Sequence, residues 1–464
     1  MKKVIFATVF ALAGILCSNS FAQEAHHGAL GDGGSIYLRA DPVNKFFLEN
    51  TDNQDLALYF HLQGLKKELG NSKRAPYNLS IVIDKSGSMQ GDKIENVKKA
   101  VNYVINQLTA EDYLSVVTYD NGVQILFESQ KVESKDKLTG KISSIVADGG
   151  TNLEGGMKKG FELARENKVS HKANDFINRV FLLSDGQANV GETNSDVLAN
   201  WCKSYFSENS ISLSSFGVGT DYNEDLMSKL ASNAGGMYYF ISDPEKITTI
   251  FQQEMNGASL VVGKNVVLEI DIPEDKADLV KVYQLGYEKK NGKVIVHFND
   301  IFSEEQKSVV VRFKLFQKTS APIHFKCRLV YRNANNEPAT DVKDERKIIL
   351  DPVPNKDQLA IGLSKQSSEG YTLQVCSEMY EDAVKLADVG KYEESAKMVK
   401  DAMDLMDLHF KKFGEHPFLK EVYTDLSEYA ATIKDMKNMS NEDRKYSVKN
   451  HKFSSFKKRT RAKF

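Results

Sequence analysis

The sequence of 464 residues predicts an α/β domain with a mainly parallel central sheet, inserted in or flanked by a β-sandwich and followed by a helical C-terminal region. Three observations lead to this fold class. Apolar strand-like runs alternate with amphipathic helical segments over residues 78–257, which is the pattern of parallel βαβ units. Strand patterns without helices fill residues 23–77 and 258–352, as in a β-sandwich. Helical periodicity dominates residues 353–464.

Residues 1–22 have the form of a secretory signal peptide. Two lysines precede an apolar run from Val4 to Leu16, and the small-residue site "SFA" predicts cleavage after Ala22. The run is short for a membrane span, which needs about 20 residues, so we expect no transmembrane segment after signal removal. Lipidation at Cys17 is an alternative, although Leu16 stands where lipoproteins normally carry a small residue. We therefore expect an exported protein, in the periplasm, on the cell surface or secreted.

Two separate segments carry the strand pattern of the sandwich. In the first, "DLALYFHLQ" alternates, with Leu56, Leu58, Phe60 and Leu62 on one face. In the second, short strand-like runs such as "NVVLEIDIP" and "IHFKCRLVYR" follow one another closely. Domain termini commonly lie close together, so a whole domain can be inserted between two strands. We expect one sandwich built from both segments, with residues 78–257 inserted between them.

The inserted segment opens with a fully buried strand at Asn78–Asp84. A helix follows, in which Ile94, Val97 and Val101 recur at helical spacing. Asn121-Gly122 lies between two strand-like runs and predicts a hairpin turn. Strand–helix pairs continue to a last helix that begins at Pro244.

The proline-marked stretch "DPVPNKDQ" predicts a linker into the C-terminal region. There, two helical segments on either side of Gly390 predict a helical hairpin, although their spacing also fits a single tetratricopeptide-type repeat. The tail "KNHKFSSFKKRTRAKF" is basic and predicts either a solvated end or a handle for an acidic surface.

Overall charge and cysteine content exclude some classes of protein. The formal net charge of −2 predicts no nucleic-acid partner. After signal removal the remaining cysteines are Cys202, Cys327 and Cys376, an odd and sparse set that does not form a disulfide framework. The sequence does not predict an oligomeric state.

One short stretch, "DKSGSM", predicts chemistry at the end of the first inserted strand. Asp84, Ser86 and Ser88 follow that strand at every second position, and Gly87 permits the sharp turn that makes them converge. Carboxylate and hydroxyl oxygens suit a hard cation such as Mg²⁺. Thr151 on the glycine loop "GGTN" lies immediately before a predicted helix, and Asp185 in "LLSDG" ends a predicted strand. Binding crevices of α/β sheets lie beyond the carboxyl ends of the strands, where Asp84 and Asp185 both lie. A simple helix cap at Asp84 and Ser86 would leave the other two loops unexplained.

Together, "DKSGSM", "GGTN" and "LLSDG" resemble the metal-ion-dependent adhesion site of von Willebrand factor type A (VWA) domains, over about residues 78–257. The resemblance implies a Rossmann-like VWA domain. It also implies that Ser86, Ser88 and Thr151 bind the metal directly, with Asp84 and Asp185 acting partly through water. The metal would be Mg²⁺, with Mn²⁺ or Ca²⁺ as alternatives. An open coordination position would then accept a carboxylate from a partner protein.

Three functions are compatible with these features. The first is an exported, metal-dependent protein-binding module of adhesion or assembly type, which is not an enzyme. The second is a metal-assisted hydrolase, although the sequence lacks His-Glu-x-x-His and Gly-x-Ser-x-Gly motifs. The third is a structural envelope assembly factor that acts through its helical tail.

Overall fold

The structure is a computed structural model. It describes residues 29–30, 34–67, 75–172, 176–219, 222–241, 251, 261–283, 286–334, 340–440, 443–444, 446–448, 450–451 and 454. The predicted signal peptide, the predicted helix at Pro244 apart from Phe251, and most of the basic tail lie outside the described residues.

The strands, in chain order, are β1 Ala29–Leu30, β2 Ile36–Pro42, β3 Phe46–Leu48, β4 Gln54–Gly64, β5 Tyr77–Asp84, β6 Tyr113–Tyr119, β7 Val123–Lys131, β8 Ile177–Ser184, β9 Ser212–Val218, β10 Gly235–Ile241, β11 Val261–Asp271, β12 Ala277–Tyr283, β13 Tyr287–Lys290, β14 Lys293–Phe302, β15 Gln306–Leu315, β16 Ile323–Asn333 and β17 Thr340–Val353. The helices are α1 Asp92–Gln107, α2 Lys135–Ser143, α3 Leu153–Ser170, α4 Ser195–Asn209, α5 Glu224–Asn233, α6 Lys356–Ile361, α7 Lys365–Asp388, α8 Tyr392–Phe413 and α9 Pro417–Asp435.

A six-stranded sheet forms the centre of the inserted α/β unit, in the order β10-β9-β8-β5-β6-β7. All neighbours in it are parallel except β6 and β7, which form the predicted antiparallel hairpin. Every residue of β5 and of β8 is buried, because helices cover both faces of the sheet. One apolar core lies on the α1 and α2 side, and the other lies on the side of α3, α4 and α5. The predicted α/β fold class is confirmed.

Two further sheets face each other across a third apolar core. Their strand orders are β1-β2-β4-β15-β12 and β13-β14-β11-β16-β17-β3. Strands from before and after the α/β unit pair directly, since β4 and β15 are antiparallel with Gln63 opposite Gln306. The chain thus leaves this sandwich after β4 and returns to it at β11. The boundaries of independently folding domains stay predictions.

The C-terminal helices pack on the outer face of the first sandwich sheet, on the side of β4 opposite the sandwich core. Tyr59 of β4 and Leu373 of α7 belong to one shared core and are 1% and 0% exposed. Gly370 allows the close approach, because a Cβ atom there would lie 2.1 Å from the Tyr59 ring. The helical region and the sandwich therefore share a core.

The predicted linker at residues 351–358 is wrong. Residues 351–353 are the end of β17 and pair in parallel with Phe46–Leu48 of β3, and α6 begins soon after, at Lys356. The hydrogen bonds between β17 and β3 are made by the N–H of Asp351 and the carbonyl of Val353. Pro352 lies between them, where no backbone N–H is needed, so a proline is tolerated in this strand. Helix α2 and strand β13 were not predicted.

Two further findings concern the cysteines and the helices in the described part of the chain. The thiols of Cys202, Cys327 and Cys376 are free and buried. No helix there is both long and apolar enough to cross a membrane.

Candidate metal site

Two carboxylates lie side by side at the carboxyl edge of the six-stranded sheet. Strand β5 ends at Asp84, and β8 ends at Ser184, one residue before Asp185. The two strands are parallel neighbours with Ile83 opposite Leu183, so both strands end at this edge in register. Asp84 and Asp185 are each 0% exposed. Such a pair of buried acids is costly unless hydrogen bonds and cations compensate it.

Three hydrogen bonds hold the Asp84 carboxylate. Its Oδ1 accepts from the backbone N–H of Ser86 at 2.9 Å, and its Oδ2 accepts from Ser184 Oγ at 2.6 Å and Tyr119 Oη at 3.1 Å. All three donors are neutral groups. Burial raises the pKa of Asp84, the hydrogen bonds from Ser184 and Ser86 lower it in part, and the charge of Asp185 raises it further. A positive ion beside this carboxylate would relieve both unfavourable effects.

The two serines of the motif lie on a tight turn directly after β5. Ser86 is 0% exposed and Ser88 is exposed, and their Oγ atoms are 3.1 Å apart. A short 3₁₀ turn at Gly87–Met89 follows Ser86 and leads towards α1. The backbone N–H of Gly87 donates to the carbonyl of Gly149 at 2.9 Å, which ties this turn to the glycine loop.

Thr151 lies at the end of that glycine loop, two residues before α3, and is 2% exposed. Its backbone N–H donates to Asn189 Oδ1 at 2.8 Å, and its carbonyl accepts from the Asn189 N–H at 3.2 Å. Thr151 is thereby bonded to the loop that follows Asp185. The loop needs glycine twice: Gly149 has φ +81°, and a Cβ at Gly150 would lie 2.4 Å from Asn121 Oδ1.

A lysine faces the second carboxylate. The Nζ of Lys93, in the first turn of α1, lies 3.1 Å from Asp185 Oδ2. The side chain of Lys93 is 18% exposed and that of Asp185 is 0% exposed. The backbone N–H of Gln187 adds a 3.4 Å hydrogen bond to Asp185 Oδ1.

The donor set fits a hard divalent cation. The five predicted residues lie in three loops at one sheet edge, and backbone hydrogen bonds connect these loops. They offer two carboxylates and three hydroxyls, and Mg²⁺ prefers such oxygen ligands. Within the described residues no group of three or more His, Cys, Asp or Glu side chains is arranged to hold a metal. A cation here would therefore depend on hydroxyl oxygens as well as on carboxylates.

Four side chains that contact the site were not predicted: Ser184, Tyr119, Asn189 and Lys93. A signal existed for the first two. Ser184 immediately precedes Asp185 in "LLSDG", and Tyr119 ends β6, directly opposite Asp84 in the sheet register. Asn189 and Lys93 lie outside the strand ends, and only the folded loops bring them to the site.

Comparison with known proteins adds three findings. The family model of the von Willebrand factor type A domain matches residues 78–253. Protein sll0103 of Synechocystis sp. is 27% identical over 259 residues, which cover 53% of this chain and 59% of that protein. Protein YfbK of Escherichia coli is 30% identical over 238 residues, which cover 51% of this chain and 40% of that protein. The match spans less than two thirds of the length of either relative.

A solved structure agrees in fold. The von Willebrand factor type A structure from Catenulispora acidiphila superposes with a TM-score of 0.64 and 16% sequence identity, covering 87% of this chain and 90% of that chain. At this identity the likeness establishes the fold alone. The family match assigns a von Willebrand factor type A domain to residues 78–253 of this chain, and the sheet topology and the loop motifs agree with it.

Proposed function

We propose that this protein is an exported binding module that holds a divalent cation and uses it to bind a carboxylate of a partner protein. The proposed ligands are Asp84, Ser86, Ser88, Thr151 and Asp185, and the proposed cation is Mg²⁺, with Mn²⁺ and Ca²⁺ as alternatives. The supporting observation is the state of Asp84, a fully buried carboxylate whose hydrogen-bond donors are all neutral and whose neighbour is a second buried acid.

The balance of charged and neutral ligands supports a binding role for the cation. Three of the five proposed ligands are neutral hydroxyls, so only the two carboxylates carry negative charge. Their two negative charges do not balance the three positive charges of a dication and Lys93. A bound dication would keep the ability to attract an external anion. Ser88 is the exposed member of the set, so the turn that carries it marks the side from which a partner would approach.

The proposal assigns binding and no catalysis. The relatives and the solved structure reported above do not carry the name of an enzyme. Their names identify no ligand for this chain, so the partner is defined only by its chemistry, an accessible Asp or Glu side chain.

Partner capture should depend on the metal. We expect the mature protein to retain its partner from the native envelope in Mg²⁺ and to lose it in excess EDTA. Thr151→Val should abolish capture even in Mg²⁺, because it removes one hydroxyl while nearly preserving the side-chain volume. Thr193→Val, at an exposed threonine, is the matched control and should capture normally. The measurement is quantitative mass spectrometry of the captured material. Capture that survives both EDTA and Thr151→Val would contradict the proposal.

We also propose export with removal of residues 1–22. The mature protein should begin at Gln23, because "SFA" follows the apolar run at the usual cleavage distance. N-terminal mass analysis of protein purified from the native host measures this directly. A chain that begins with an acylated Cys17 would instead make the protein a lipoprotein.

A further inference from the structure

Lys93 occupies a position that its own helix does not favour. It lies in the first turn of α1, where Asp92 and Glu95 are also found. Acidic side chains suit the positive end of the helix dipole, whereas a lysine there is opposed by it. Residues that contradict a local preference are often found at functional sites.

The contact that Lys93 makes is with a carboxylate of the proposed metal site. Its Nζ is 3.1 Å from Asp185 Oδ2, and Asp185 is 0% exposed. Asp185 in turn stands close enough to Asp84 for its charge to act on that second buried carboxyl. The ammonium group therefore compensates part of the negative charge that the two acids concentrate at this sheet edge.

We propose that Lys93 is a built-in counter-ion of the site, which weakens metal binding but strengthens the binding of a carboxylate to the metal-loaded site. This inference rests on the proposed function. Counted as carboxylates, the two aspartates carry two negative charges, and a dication together with Lys93 carries three positive charges, so the metal-loaded site has one net positive charge. Without Lys93 the loaded site would be neutral and would attract an external anion less strongly.

The two effects of removing Lys93 should have opposite signs. Metal binding should become tighter, because the cation would no longer compete with an ammonium group for Asp185 or be repelled by it. Carboxylate binding should become weaker, because the positive charge that attracts it is lost. A residue with a purely structural role would change both affinities in the same direction or neither.

The test uses the mature full-length chain with Mn²⁺ and acetate as probes. Lys93→Gln should bind Mn²⁺ roughly tenfold more tightly by calorimetry, the size expected for one unit charge at a partly exposed site. Acetate should displace water from the bound Mn²⁺, and water-proton relaxation measures this displacement. In Lys93→Gln the displacement should require a roughly tenfold higher acetate concentration than in the unmodified protein. Lys93→Arg keeps the charge and should behave nearly like the unmodified protein. Lys99→Gln, at an exposed lysine of the same helix, removes an equal charge and should leave both affinities unchanged.

Stability gives an independent measurement. Metal-free Lys93→Gln should melt at a lower temperature, because Asp185 loses its counter-ion, and saturating Mn²⁺ should restore the melting temperature. Equal Mn²⁺ affinity in Lys93→Gln and the unmodified protein would overturn the inference about Lys93 while leaving the metal site in place. No Mn²⁺ binding by the unmodified protein would overturn both. Failure of Mn²⁺ to stabilise a Lys93→Gln protein that unfolds without metal would also count against the role of Lys93.

Discussion

Replacing Asp84 by Asn should reduce the affinity for Mg²⁺ and Mn²⁺ by more than about 100-fold, since residues that only support metal ligands are already worth about 10–100-fold. The fold should be retained. The Asn carbonyl can accept from the Ser86 N–H in place of Oδ1, and the amide can donate to the hydroxyls of Ser184 and Tyr119. All three hydrogen bonds then persist, but the two with Ser184 and Tyr119 change direction, because both hydroxyls become acceptors. The variant also removes a buried charge beside Asp185, so the metal-free form should melt at the same temperature or slightly higher.

Asp84→Ala is the less informative variant. It leaves three donors without their acceptor, and each buried unpaired group costs about 1–3 kcal/mol. Calorimetry with both metals, beside a melting curve, should be run on Asp84→Asn and on Asp136→Asn, which changes an exposed acid in α2. Undiminished metal affinity in Asp84→Asn would mean that Asp84 only shapes the turn after β5.

Removing residues 356–464 should leave a protein that is insoluble or unfolded. The helices of this region cover Tyr59 and Val310, which are 1% and 0% exposed on the outer face of the first sandwich sheet. Uncovering such a face exposes a contiguous apolar patch, which favours aggregation. The measurement is the soluble fraction after expression, followed by size-exclusion chromatography. A monomeric truncated protein with an unchanged melting temperature would show that the helices are a detachable appendage.

A matched pair of glycine variants tests the same packing without deleting any residues. Gly370→Ala drives a methyl group to 2.1 Å from the Tyr59 ring and should destabilise the protein by about 1–3 kcal/mol. Gly140→Ala, in α2, meets nothing within 4 Å and should be neutral or stabilise the protein by up to about 1 kcal/mol. Urea unfolding of both variants measures the difference.

The α/β fold could be predicted because its local patterns agree with its tertiary environment. Strand β5 is apolar and buried on both faces, and the apolar stripe of α1 packs on the sheet. Helix α7 shows the opposite case. Ser368, Thr372 and Gln374 are all 0% exposed, because the sandwich lies on one side of the helix and other helices lie on the other. Polar residues buried on every side leave no amphipathic pattern, so only tertiary structure reveals how deeply this helix lies.

The proposed ligands of the candidate site could be predicted from the sequence, but the side chains that hydrogen-bond to them could not. Asp84, Ser86 and Ser88 stand in one motif, and a motif at a strand end can be found in a sequence. The support of Asp84 by Ser184 and Tyr119 depends on which strands are neighbours, and hence on the sheet order β8-β5-β6. That order follows from the packing of the whole sheet.

The pairing of β4 with β15 has a consequence for the order of events during folding. Strand β4 is synthesised before the entire α/β domain, yet its hydrogen-bonding partner follows that domain, with Gln63 opposite Gln306. Contacts between such distant segments form slowly, because the intervening chain must first be brought together. A domain that folds early would shorten this search, since compact domains often hold their two ends near each other. Until β15 pairs with it, β4 keeps an unpaired edge and an apolar face, both of which favour aggregation. Early folding of the inserted domain would shorten this stage and so protect the newly made chain.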